Sequence, residues 1–149
     1  MKLIHNITIT VLVKPDENSK LTGETILEFL PEDLDAEKIR IEETLLKAEY
    51  GDDITKFTVK LEKERHTKIV INKIKELLEK EQIKRLRDEE NRIDEQGMFY
   101  LRLDRQKLEK EGKAELTDKG YCFHFKIMLA CFPKNREKAI EVAKDIWTT

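Results

Sequence analysis

Tyr121-Cys122-Phe123-His124-Phe125-Lys126-Ile127-Met128-Leu129-Ala130-Cys131-Phe132 decides the fold. Tyr121, Phe123, Phe125, Ile127, Leu129 and Cys131 fall at every second position, so as a strand they form one continuous apolar face. The intervening positions carry His124 and Lys126, which suit a face open to water. Pro133 stops the strand. A strand this apolar on one side needs partners with matching alternation, and the chain supplies them. Ile7, Ile9, Val11 and Val13 alternate with Asn6, Thr8 and Thr10; Phe57, Val59 and Leu61 alternate with Lys56, Thr58 and Lys60; Phe99, Leu101 and Leu103 alternate with Tyr100 and Arg102. The β-branched positions Ile39, Ile41 and Thr44 favour a further strand within residues 39–49, and Tyr50-Gly51-Asp52-Asp53 reads as the turn after it.

Helical periodicity fills the intervals. Asn18 or Ser19 caps a helix leading to Ile26, Leu27 and Leu30, closed by Pro31. Residues 65–90 contain neither Gly nor Pro, and Val70, Ile74, Leu77 and Leu78 make one buried stripe, with Ile83 and Leu86 extending it into a second short helix. Asp94 to Gly97 is a turn with Asp in its first position and Gly in its last. Residues 105–111 suit one or two helical turns ended by Gly112, and Thr117 to Gly120 suits a hairpin-type turn. The final helix, from Lys134 to Trp147, turns Ala139, Val142, Ala143 and Ile146 inward. Strands and helices intermingle without regular βαβ alternation, which predicts an α+β class, one sheet covered by helices on one face and open on the other. A chain of 149 residues is expected to form a single domain over 1–149.

Composition narrows the function. Charged residues are 40% of the chain and the net charge is -2, which argues against wholesale coating of a polyanion and requires any nucleic-acid contact to use a local basic face. No apolar run approaches the ~18 residues of a membrane span, the N-terminus does not read as a signal peptide, and two cysteines in one apolar strand suit reduced thiols. A cytoplasmic protein without membrane contact is expected. Five glycines form no phosphate-binding loop. Cys122 and His124 share a face at chelating spacing, but Cys131 falls on the opposite face and no second pair completes a zinc site. His5 and His66 have no obvious nucleophile or acid beside them, so neither an enzyme activity nor a cofactor is expected.

The open face itself carries the functional signal. Thr8, Thr10, Lys56, Thr58, Lys60, Tyr100, Arg102, His124 and Lys126 include no acid. Thr, Lys and Arg suit any solvated strand, so this composition fits a wet surface as well as a binding one. A binding face has a physical basis here: cations at strand spacing track a phosphate backbone, and Tyr100 and His124 offer rings to unpaired bases.

Two segments add a resemblance. N-R-I-D-E-Q-G-M-F-Y-L-R-L-D-R-Q (91–106) and C-F-P-K-N-R-E-K-A-I-E-V-A-K (131–144) resemble a family of small archaeal proteins described as predicted RNA-binding proteins. Most of the chain is covered. Asn91, Arg92, Asp94, Gly97, Tyr100, Arg102, Asp104 and Gln106 match the family's pattern; Lys107, Leu108 and Glu109 depart from it. The resemblance implies a fold similar to the fifth large-subunit ribosomal protein, with a mixed sheet, and work alongside the RNA exosome or ribosome-related proteins. Combined with the open face, it points to single-stranded RNA bound without catalysis by Arg92, Tyr100, Arg102, Arg105, Lys56, Lys60, His124 and Lys126, with Asp104 and Gln106 orienting the arginines. The other reading is a protein-interaction module that docks on a ribonucleoprotein complex through the charged helix over 72–92. Either a monomer or a homodimer joined through a strand edge is compatible with the sequence.

Overall fold

The apolar strand of residues 122–129 lies beside the first strand of the chain, and the two anchor a five-stranded sheet in the computed structural model, which describes residues 2–148. The strands are β1 (Ile4–Val13), β2 (Glu42–Leu46), β3 (Ile54–Leu61), β4 (Met98–Asp104) and β5 (Cys122–Leu129), ordered β2-β3-β1-β5-β4. The helices are α1 (Ser19–Leu27), α2 (Leu34–Glu37), α3 (Glu64–Leu77), α4 (Lys80–Asp88) and α5 (Arg136–Ile146). The α+β class is as expected, but the mixed sheet is not: all four neighbouring pairs are antiparallel. Strands that share a direction are each separated by one running the other way: β1 stands between β3 and β5, and β5 between β1 and β4.

Strand alternation sorts the two faces. Ile7, Ile9, Val11, Val13, Phe57, Val59, Leu61, Phe99, Leu101, Leu103, Phe123, Phe125, Ile127 and Leu129 are all buried. They join one apolar cluster with Ile26 of α1, Val70 and Ile74 of α3, Leu86 of α4, and Ala139, Ala143 and Trp147 from α5 and its end. Phe29 meets Phe125 edge-on, 5.2 Å between ring centres, and Phe99 packs at 5.8 Å from Trp147. Such burial, at about 25 cal/mol per Å² of apolar surface, is the main force holding helices to sheet.

Local signals place the helix ends. Asn18 Oδ1 accepts from the Leu21 N–H at 3.1 Å and Asn135 Oδ1 from the Lys138 N–H at 2.9 Å, each relieving an orphan donor of the first turn. Leu27 is exposed at the end of α1, and the chain then turns Phe29 and Leu30 into the core. Between α3 and α4, Leu78 and Glu79 are extended, with no Gly or Pro to force the break. The break lets Leu78 stay buried while α4 reorients to bury Ile83 and Leu86. No helix among the described residues is long and apolar enough to cross a membrane.

Glu37 pins α2 to the start of α3. Arg65 donates to it from Nε and from Nη2, the latter at 2.6 Å, and His66 Nε2 lies 3.0 Å away. The Arg65 hydrogen bonds, followed by that of His66, lower the Glu37 carboxyl to about 2. A depressed acid pKa stabilises the folded state fully above the ordinary value of 4.5 and loses that contribution as pH falls towards 2. In urea melts, wild type is therefore expected to exceed Glu37→Gln in stability at pH 6, with the gap closing as the pH falls from 4.5 to 2. A gap unchanged across that window would rule out this pairing.

Candidate nucleic-acid interface

The open face takes its geometry from register. Antiparallel pairing sets Lys60 opposite Thr8, Thr8 opposite Lys126 and Lys126 opposite Tyr100, giving one row across four strands. The adjacent row runs Glu42, Thr58, Thr10, His124 and Arg102 across all five. Lys56 lies on the same face, paired with Thr44 and Leu12. Neighbouring strands are ~4.8 Å apart, so Lys60 and Lys126 stand about two strand spacings from each other across Thr8. Neither Lys56 nor Lys126 has a carboxylate within ion-pair distance among the described residues, and Lys60 reaches only Glu62, at 4.0 Å. Two acids absent from the expected face also belong to it: Glu42 on β2 and Asp104 opposite Cys122. They stand at its outer strands and leave the middle basic.

At the β4 end the face deepens into a hollow of about 320 Å³ lined by Asn91, Arg92, Tyr100, Leu101, Arg102, Thr117, Asp118 and His124. The hydroxyl of Tyr100 donates to Asp94 Oδ2 at 3.0 Å, and its ring lies 5.8 Å from that of His124 at 44°. Asp94 also builds its own turn: Oδ1 accepts from the Gln96 and Met98 N–H groups, and Gly97 holds a positive φ of 80°. Burial works against the Asp94 charge, but those two N–H groups, Tyr100 and Lys126 outweigh it and hold the carboxyl below its usual range. Burial, then Asp94, pushes the Tyr100 phenol up. Burial, then the charges of Arg102 and Lys126, pushes His124 down, so its imidazole is neutral at neutral pH and offers one donor and one acceptor. Arg102 donates from Nη1 to the Asp118 carbonyl at 3.1 Å. Arg92, half-buried, pairs with Glu89 at 2.7 Å, and its Nε is buried without a partner among the described residues.

Residues 6–129 match a family model described as RNA binding. The chain belongs to this RNA-binding family. RNA-binding protein PAB1135 of Pyrococcus abyssi is 24% identical over 142 residues, covering 95% of this chain and 92% of that protein. Among solved structures, the DUF54 protein Mth689 of Methanothermobacter thermautotrophicus aligns with a TM-score of 0.78 at 28% identity, over 99% of this chain and 100% of that one. AF2318 of Archaeglobus fulgidus, also DUF54, aligns at 0.80 and 29% identity, over 96% and 99%. The chain shares their fold.

Within this fold the eight residues singled out from the sequence separate. Arg92, Tyr100, Arg102 and His124 meet around one hollow, and Lys126 and Lys60 continue from it along the row. Lys56 sits one row further, half-buried. Arg105 does not belong with them. It is 1% exposed, and its guanidinium donates to Glu109 Oε2 at 3.0 Å, the Leu12 carbonyl at 2.8 Å, Glu17 Oε1 at 3.3 Å and Thr22 Oγ1 at 2.9 Å. The Tyr121 ring covers it at 4.6 Å, which also explains why Tyr121 leaves the apolar face. At residue 105 the strand has ended and the chain enters a π-helical turn, Lys107–Glu111, so strand parity no longer says which way a side chain points. Nor do Asp104 and Gln106 orient the arginines. Asp104 Oδ1 accepts from the Lys107 N–H at 3.0 Å, and Gln106 is exposed.

Phe132 also escaped the sequence reading. It is 93% exposed, whereas Phe29, Phe57, Phe99, Phe123 and Phe125 are all buried. Its position one beyond Cys131 placed it off the apolar face, which was the available signal. Among the described residues no group of three or more His, Cys, Asp or Glu side chains is placed to hold a metal ion.

Proposed function

We propose that the whole chain, 1–149, acts as one non-catalytic RNA-binding unit in the cytoplasm. It takes single-stranded RNA across the open sheet face, as an accessory to RNA processing or degradation. The observation that carries this reading is the convergence of Arg92, Tyr100, Arg102 and His124 on one hollow, continuous with the Lys126–Lys60 row. An unpaired base enters the hollow against Tyr100 and bonds His124 through its edge, and the phosphates that follow run towards Lys126 and Lys60. A face of half-exposed rings and cations on strands fits flat bases and a flexible backbone better than a rigid duplex. Work beside the RNA exosome or ribosome-related proteins is the setting that the family resemblance implies. Partners retained after nuclease treatment of a pull-down would speak for direct protein docking, and partners lost with the RNA for an RNA bridge.

The test is binding of a single-stranded RNA oligonucleotide at two salt concentrations, for wild type, Tyr100→Ala and Arg102→Ala. Removing the Tyr100 ring is expected to cost about 1–3 kcal/mol, or ~5- to 150-fold in affinity. Removing Arg102 is expected to weaken binding and flatten the salt dependence. Binding too weak to measure, or unchanged by both substitutions, overturns the sheet-face reading.

A further inference from the structure

The two outer strands of the sheet are treated differently. The outer edge of β4 is occupied by single bridges from Ile93 to Phe99 and from Leu116 to Leu103. The outer edge of β2 has no strand partner among the described residues, and all five of its residues are exposed, with Leu45 at 54% and Leu46 at 41%. Leu45 and Leu46 alternate, so β2 shows an exposed apolar side chain on each face. An open edge of this kind is a template for another strand.

Its sequence selects which strand. When two copies pair antiparallel about a two-fold axis perpendicular to the sheet, side chains that face each other must lie on the same face in both copies. The pairing is therefore centred on a residue and not between two. Centred on Glu43, the strand sets that carboxylate against its own copy. Centred on Thr44, it opposes Glu42 and Glu43 to Leu46 and Leu45. Centred on Leu46, it opposes Leu45 to Lys47, the first residue past the strand. Centred on Leu45, it sets Leu45 against Leu45, Thr44 against Leu46, and Glu43 against Lys47 on both sides of the axis. Only the last register matches apolar with apolar and joins opposite charges, the cross-strand combinations that stabilise a sheet.

We propose that the chain forms a symmetric homodimer by pairing β2 antiparallel with β2 of a second copy, centred on Leu45. Because the axis is perpendicular to the sheet, the two five-stranded sheets become continuous and their open faces lie on the same side.

The experiment is sedimentation equilibrium over a concentration series, with circular dichroism to confirm folding. Wild type is expected to rise from 17.7 kDa towards twice that mass. Lys47→Glu is expected to weaken dimerisation by about tenfold or more, since each Glu43 then meets a carboxylate. Glu43→Lys combined with Lys47→Glu restores the pairs with signs exchanged and is expected to return to within about threefold of wild type. Lys47 also contacts Asp53 of its own chain at 3.4 Å, and both variants lose that contact equally, so recovery reports only the pairing between copies. A mass that stays at one chain at the highest concentration overturns the proposal. So does a double variant no better than Lys47→Glu.

Discussion

Arg105→Ala is expected to lower the free energy of unfolding by about 3–5 kcal/mol, the usual consequence of leaving a buried carboxylate without its partner. Arg105 ties together the end of β1, the segment before α1, α1 itself and the π-helical turn after β4, through Leu12, Glu17, Thr22 and Glu109. Glu109, whose side chain is 5% exposed, keeps one other donor, the Thr22 hydroxyl at 2.5 Å, and no other ion pair among the described residues. Glu17 has a second donor in the Lys14 N–H, at 2.7 Å, and is nearer solvent, so Glu109 bears most of the loss. Arg105→Met with Glu109→Leu removes both charges together and is expected to recover much of the stability, because a buried ion pair and an apolar replacement of similar volume are close in free energy. Urea unfolding of the three proteins checks this, and a single substitution costing under about 1 kcal/mol would remove the network from any central role. Acid should weaken the same network. Although burial opposes the Glu17 charge, the Lys14 N–H and Arg105 keep its carboxyl below the ordinary range, so its contribution holds above 4.5 and fades at lower pH.

The second large effect is expected in RNA binding. Lys60→Glu with Lys126→Glu replaces the two cations that flank Thr8 on the open face by anions, without touching the buried cluster. Affinity for single-stranded RNA should fall about a hundredfold at low salt, and the slope of log K against log salt should become less steep by ~1.4, or ~0.7 per lost phosphate contact. Lys84→Glu with Lys144→Glu makes the same change in net charge on α4 and α5, across the sheet from this face, and should leave the slope unaltered. Equal losses in the two variants would mean that RNA senses only overall charge, and the row would have no special part.

The strands were readable because a period of two is a local property. Phe123, Phe125 and Ile127 declare their face without reference to any other part of the chain, and Ile7, Ile9 and Val11 do the same. Pairing order was less accessible, since nothing local to β1 says that it lies between β3 and β5 with every pairing antiparallel. The candidate site divides along the same line. Tyr100, Arg102, His124 and Lys126 sit inside strands, where parity sets their direction. Arg105 lies one residue past a strand, and two of its partners are Glu17 and Thr22, at separations of 88 and 83 residues. An arginine in a charged segment resembles a surface residue until those partners are known. Glu42 escaped for a related reason: within residues 39–49 the strand was visible but its pairing with β3 was not.

The central place of β1 governs how the molecule is assembled during synthesis. The first of the five strands in chain order is the one that must wait longest, for it has β3 on one flank and β5 on the other, and Asn6 meets Met128 from 122 positions away. A nascent chain that has released β3 but not β5 holds three of the five strands, with the backbone of β1 unpaired along one side and Ile7 and Ile9 short of their neighbours Ile127 and Phe125. Closing the sheet then requires two segments as far apart in sequence as Asn6 and Met128 to find each other, a search in which loop entropy is lost before contacts are gained. A product cut short before β5 is left with β1 unpaired along one side, an open strand edge prone to pairing with another chain.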